Sequence, residues 1–150
     1  MPGTQHLDSQ GVGSSGARHG AAQIARMGGD FVDLLAWKKA TALATSVVAG
    51  SRMLRGPAVT ATRSQVVRAA ESIPANIAEG YGRGICGDGA RFLTVARASA
   101  AELESHLRVA EASGRLPPAA AQPLIAQTRE VRYLVHRLLK QHGCTKKSLQ

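Results

Sequence analysis

The chain has 150 residues, enough for one domain; 44% are hydrophobic but only 3% aromatic, so a core must come from Ala, Val, Leu and Ile, which favours close helix packing over a β-sandwich. A formal charge of +9 and a pI near 10.6 point to a polyanionic partner, and most of the 19 basic residues are arginines, whose guanidinium binds phosphate bidentately. Two distant cysteines (Cys86 and Cys144) give neither a disulfide framework nor a zinc spacing, no apolar run approaches the ~18 residues of a membrane span, and no signal-peptide pattern opens the chain, so a cytoplasmic protein without membrane contact is expected.

Residues 1–29 are rich in Gly, Ser and Gln and read as a flexible leader. Asp30 is the expected N-cap of the first helix, with Asp33 complementing its dipole. Ala36, Ala40, Leu43 and Val47 then share one helical face, and the helix is expected to end between Gly50 and Arg55. Trp37, the sole tryptophan, reads as a packing anchor.

The central segment, Arg63 to Arg83, starts at Thr60 or Thr62 and carries the stripe Val66, Ala70, Ile73, Ile77 and Tyr81. The stripe continues through Pro74, which predicts one helix kinked there rather than two. Small residues (Ala69, Ser72, Ala75, Ala78 and Gly80) line the stripe and allow close approach of neighbours. Gly80, Gly82 and Gly84 stop the helix.

Asp88 is the expected N-cap of a third helix with the stripe Phe92, Ala96, Ser99, Leu103, Leu107 and Ala110. Glu104 and Arg108 fall on its outer face, and Gly114 ends it. Pro117 and Pro118 open a fourth helix, where proline is tolerated in the first turn. Its stripe is Leu124, Val131, Val135 and Leu138, flanked by Ile125, Leu134 and Leu139, and it runs to His142 and Gly143. Residues 144–150 form a frayed basic tail. The expected fold is all-α: an antiparallel up-down-up-down four-helix bundle over residues 30–143, its links too short for a crossover.

Catalytic patterns are missing. Gly82, Gly84 and Gly87 spell G-x-G-x-x-G, but a helix precedes them where a dinucleotide fold needs a strand. Glu102, Glu104 and His106 do not give the Glu-x-x-His spacing of a di-metal bundle, and His136 has no matching carboxylate. Ser99 has no nucleophile-elbow context. No catalytic residue, metal or cofactor is assigned. Asn76 and Glu79 are polar positions beside an apolar stripe and need hydrogen-bond partners, for which Ser99 and Arg83 are the candidates. The basic residues are spread through all four helices, and Arg129, Arg132, Arg137 and Lys140 give the last one a strongly cationic outer side suited to phosphate.

The block SIPANIAEGYGR (Ser72 to Arg83), preceded by Arg68, Ala69 and Ala70, closely resembles the signature of the 23S rRNA intervening-sequence family of four-helix-bundle proteins. The resemblance takes in Trp37, Ala40 and Leu43, then Phe92, Ala96 to Ser99, and Ala101 to Glu104. It implies a left-handed antiparallel bundle assembling as a ring-shaped homopentamer, without enzymatic activity. A similar protein is the accessory factor of diversity-generating retroelements, a basic pentamer that binds nucleic acid and a reverse transcriptase. Val48, Met53, Leu54, Ala98 and the loop Gly84 to Asp88, which carries no basic residue, depart from the family pattern, at positions bearing on ring and loop contacts.

The sequence therefore predicts a non-enzymatic, oligomeric bundle that binds the RNA or DNA backbone through Arg63, Arg68, Arg91, Arg97, Arg129, Arg132, Arg137 and Lys140. The structural motif comprises Arg68, Ser72, Pro74, Asn76, Glu79, Gly80, Arg83 and Ser99. The alternative is an interaction scaffold, for example for a reverse transcriptase, that does not itself touch nucleic acid.

Overall fold

The computed structural model describes Phe31 and residues 34–142. The leader, the tail and the proposed Asp30 cap lie outside these residues. Four long helices account for most of what is described: α1 (Leu35–Gly50), α2 (Val59–Gly82), α3 (Asp88–Ala112) and α4 (Pro118–Gln141), with one 3₁₀ turn, Ser51–Met53, after α1. There is no strand among the described residues. Each helix packs against its neighbours in the chain, and α4 also packs against α1. The result is an all-α, four-helix packing.

The buried residues explain that packing. On α1 they are Ala36, Ala40, Leu43 and Val47. On α2, Val66, Ala70, Ile73, Ile77 and Gly80 are buried; on α3, Leu93, Ala96, Ala100, Leu103, Leu107 and Ala110. On α4 the set is Ala121, Leu124, Thr128, Val131, Val135 and Leu139. Steps alternate between three and four residues almost throughout, the spacing that keeps a narrow seam facing partner helices over many turns. Each fully buried leucine or isoleucine adds roughly 1.5–3 kcal/mol.

The structure revises several details. α2 begins at Val59, earlier than Thr60 or Thr62, with Ala58 before it in the left-handed region (φ 57°). It runs through Pro74 as one helix. Asp88 is the first residue of α3 rather than its cap; the cap position is Gly87, whose positive φ of 66° turns the chain into the helix. On α3 the inner position falls to Leu93, fully buried, and not to Phe92. Phe92 is only half-buried because it packs under the Arg83 guanidinium, 4.8 Å from its ring centroid. On α4, Leu138 is half-buried beside the core while Leu139 points inward, and Thr128 joins the seam by donating its hydroxyl to the Leu124 carbonyl at 2.7 Å.

The most extensive helix packing is between α2 and α3. A Cβ on Gly80 would sit 2.9 Å from the Gly89 carbonyl oxygen, and one on Gly89 would fall on the Gly84 carbonyl. Glycine at both positions lets the end of one helix seat on the start of the next. Of the G-x-G-x-x-G glycines, Gly84 and Gly87 have positive φ (82° and 66°) and shape the helix-to-helix turn.

Candidate nucleic-acid interface

The site is built on α3 and α4. Glu104 lies on the inner part of α3, only 8% exposed, and not on the outer face expected from the sequence. A buried carboxylate needs compensating charge. Arg108, one turn along α3, donates from Nε at 3.0 Å and Nη2 at 2.7 Å to Glu104 Oε1. From α4, Arg132 brings Nη1 to 3.1 Å of Oε2, and Arg129 brings Nε to 3.9 Å of Oε1. Oε2 has no aligned hydrogen bond, so its contact with Arg132 is one of charge proximity.

Three arginines thus share one carboxylate. The cluster keeps an excess of positive charge, and the arginines are far more exposed than their partner, 38–62% against 11% for the side chains. The glutamate orients these side chains without neutralising the surface.

Beside this cluster, α3 and α4 leave an open cleft of roughly 560 Å³ lined by Thr94, Arg97, Ala98, Ala101, Arg129, Arg132, Tyr133 and His136. No carboxylate lines it. Arg97 approaches His136, Nη1 to Nδ1 at 3.3 Å, across the two helices. Tyr133 is 59% exposed, and the Arg137 guanidinium lies 5.9 Å from its ring centroid. Ala98 and Ala101, both exposed on α3, give it small apolar surface.

Three of the eight predicted phosphate-binding residues line this cleft, Arg97, Arg129 and Arg132, and a fourth, Arg137, borders it beside the Tyr133 ring. The other four do not join them. Arg63 donates its Nε–H to the Ser51 carbonyl at 3.1 Å and clips the 3₁₀ turn onto α2. Arg68 lies 3.7 Å from Glu102, which also faces His106 at 3.5 Å. Arg91 is exposed in the first turn of α3, and Lys140 in the last turn of α4.

The motif residues are internal supports. Asn76 donates to the Ser72 carbonyl at 2.8 Å and to its hydroxyl at 3.1 Å. The Ser72 hydroxyl meets the Ser99 hydroxyl of α3 at 2.8 Å. Ser99 therefore serves Asn76 through Ser72 and not directly. Glu79 pairs with Arg83 one turn on. Pro74 lines a shallow groove between α1 and α2 with Trp37, Ala44, Val48, Ala75 and Ala78, and with the polar Thr41, Thr45 and Glu71. Among the described residues, no three of His, Cys, Asp and Glu converge as a metal site would require.

Two elements of the cleft escaped the sequence reading. Tyr133 and His136 fall at i+4 and i+7 from Arg129, so helical spacing already aligned them with the cationic side. Glu104 was hidden because its neighbours Glu102 and Arg108 are polar, and the seam beside it already looked complete.

A comparison with curated proteins gives no match. The family model described as 23S rRNA-intervening sequence protein matches residues 32–137, which covers all but the first thirty-one and last thirteen residues. With this span and an all-helical, four-helix fold, the chain belongs to the 23S rRNA-intervening sequence protein family.

Proposed function

We propose that this protein is a non-enzymatic nucleic-acid-binding bundle whose contact surface is the arginine-lined cleft between α3 and α4. The observation that carries this reading is the convergence of Arg97, Arg129 and Arg132 on an open cleft with no carboxylate in its lining, with Arg137 beside it at the Tyr133 ring. Such a surface contacts phosphates and releases counterions, so affinity falls steeply with salt. The family's RNA-related description agrees with it.

The bundle is read as up-down-up-down. Facing residues on α2 and α3 run in opposite directions: Gly80 with Gly89, Ser72 with Ser99, Arg68 with Glu102. Between α3 and α4, Arg97 meets His136 while Glu111 accepts from Gln122 at 2.8 Å. The links also meet at their ends. Arg115, after α3, donates to Thr62 at 2.7 Å, and the Arg55 N–H donates to its carbonyl at 2.9 Å. At the other end the Cys86 thiol donates to the His142 carbonyl at 2.9 Å.

Assembly as a ring of five copies is part of the proposal. The α1–α2 groove supports it, because its lining is largely small and apolar and it lies on a different helix pair from the arginine cleft. Repeating one cationic cleft around a ring multiplies a modest single-site affinity. The test is filter binding of the full chain to RNA and DNA at low and moderate salt. Retention at low salt that disappears at moderate salt is expected. No retention at low salt would leave the scaffold reading, in which the partner is a protein such as a reverse transcriptase.

A further inference from the structure

We infer that the α3–α4 cleft takes single-stranded nucleic acid in preference to duplex, with an unstacked base lying against Tyr133 and its phosphate held by the arginines. This rests on the reading of the cleft as a nucleic-acid surface and specifies the class of strand. Three observations carry it. The cleft is an open groove of roughly 560 Å³ between two helices, room enough for a nucleotide.

Tyr133 is the most exposed of the large apolar and aromatic side chains described. One side of its ring is approached by Arg137, and an exposed aromatic beside a guanidinium is a stacking platform for a base. The cleft lining combines the methyl groups of Ala98 and Ala101 with the charged Arg97, Arg129 and Arg132, which are at hand for a phosphate. A surface meant only for duplex phosphates gains nothing from the tyrosine or the methyl groups. Glu104, below, fixes Arg129 and Arg132 from α4 and so sets the phosphate position relative to the ring.

The experiment is fluorescence anisotropy of the full chain with three labelled probes at one low salt concentration. These are a short single-stranded RNA, a blunt duplex of the same sequence, and the same single strand with abasic sites. Wild-type protein is compared with Tyr133→Ala and Tyr133→Phe. Tyr133 is surface-exposed, and circular dichroism verifies that both variants fold. The single strand is expected to bind at least about fivefold more tightly than the duplex or the abasic strand. Tyr133→Ala should remove that preference, and Tyr133→Phe should keep it, since stacking does not use the hydroxyl. Equal affinity for all three probes, unchanged by Tyr133→Ala, overturns the inference while leaving phosphate binding in place. Binding of none of them overturns the parent reading and this one together.

Discussion

At the scale of single residues, Glu104 sets the character of the arginine-rich face of α3 and α4. Its side chain is 11% exposed and meets Arg108, Arg129 and Arg132. Converting it to the neutral isostere leaves three mutually repelling guanidiniums around a buried amide. Because the arginines are themselves half in water, screening tempers the effect. Glu104→Gln is expected to lower unfolding free energy by about 1–2 kcal/mol in a urea titration. A change below a few tenths would show that the carboxylate does not hold the cluster. The hydroxyl chain from Asn76 through Ser72 to Ser99 gives a second residue-scale prediction. Ser72→Ala and Ser99→Ala should each cost about 1 kcal/mol, and the double variant less than their sum, because each removes the same hydrogen bond. The sequence made Asn76 visible as a polar residue in need of a partner and Ser99 as a candidate for it. It did not reveal Ser72 as the link between them, since a serine among alanines reads simply as another small residue.

The elements were more legible than the interactions between them. Alternating three- and four-residue steps place four helices, and the buried seams of α1 and α2 follow the apolar stripes read from sequence. The seam of α3 slipped by one residue at its start, at Phe92 and Leu93. Size and apolarity favour the phenylalanine, but Arg83 covers its ring and leaves the leucine inside. The inward position of Glu104 was obscured because its compensating charges come largely from α4, out of reach of any pattern within α3. The seating of α2 on α3 depends on two glycines. Gly89→Ala would drive a methyl into the Gly84 carbonyl and force the turn apart. A destabilisation of about 1–3 kcal/mol or more is expected from overpacking. Gly82→Ala is the control, since a Cβ there meets nothing within 4 Å. If both variants melt together with wild type, the close approach does not matter to stability.

For the whole molecule, charge and assembly carry the account. The two surfaces lie on different helix pairs: the small-residue groove of α1 and α2, and the cationic cleft of α3 and α4. Ala75, exposed in the single chain and part of the groove, is the point at which to disturb assembly. Ala75→Glu should reduce a pentamer to the 15.7 kDa monomer in light scattering while leaving the helical signal intact. An assembly unchanged by that charge would place the ring contacts elsewhere.

The central claim is that Arg97, Arg129 and their neighbours on α3 and α4 bind nucleic acid through phosphate. Its most direct test is the salt dependence of binding for wild type and for Arg97→Gln with Arg129→Gln, a pair that spares the Glu104 contacts to Arg108 and Arg132. Log affinity should fall linearly with log salt, and the double variant should bind more weakly with a slope shallower by roughly 0.7–0.9 for each phosphate that a subunit no longer neutralises. The same affinity and the same slope in a correctly folded double variant would contradict the account.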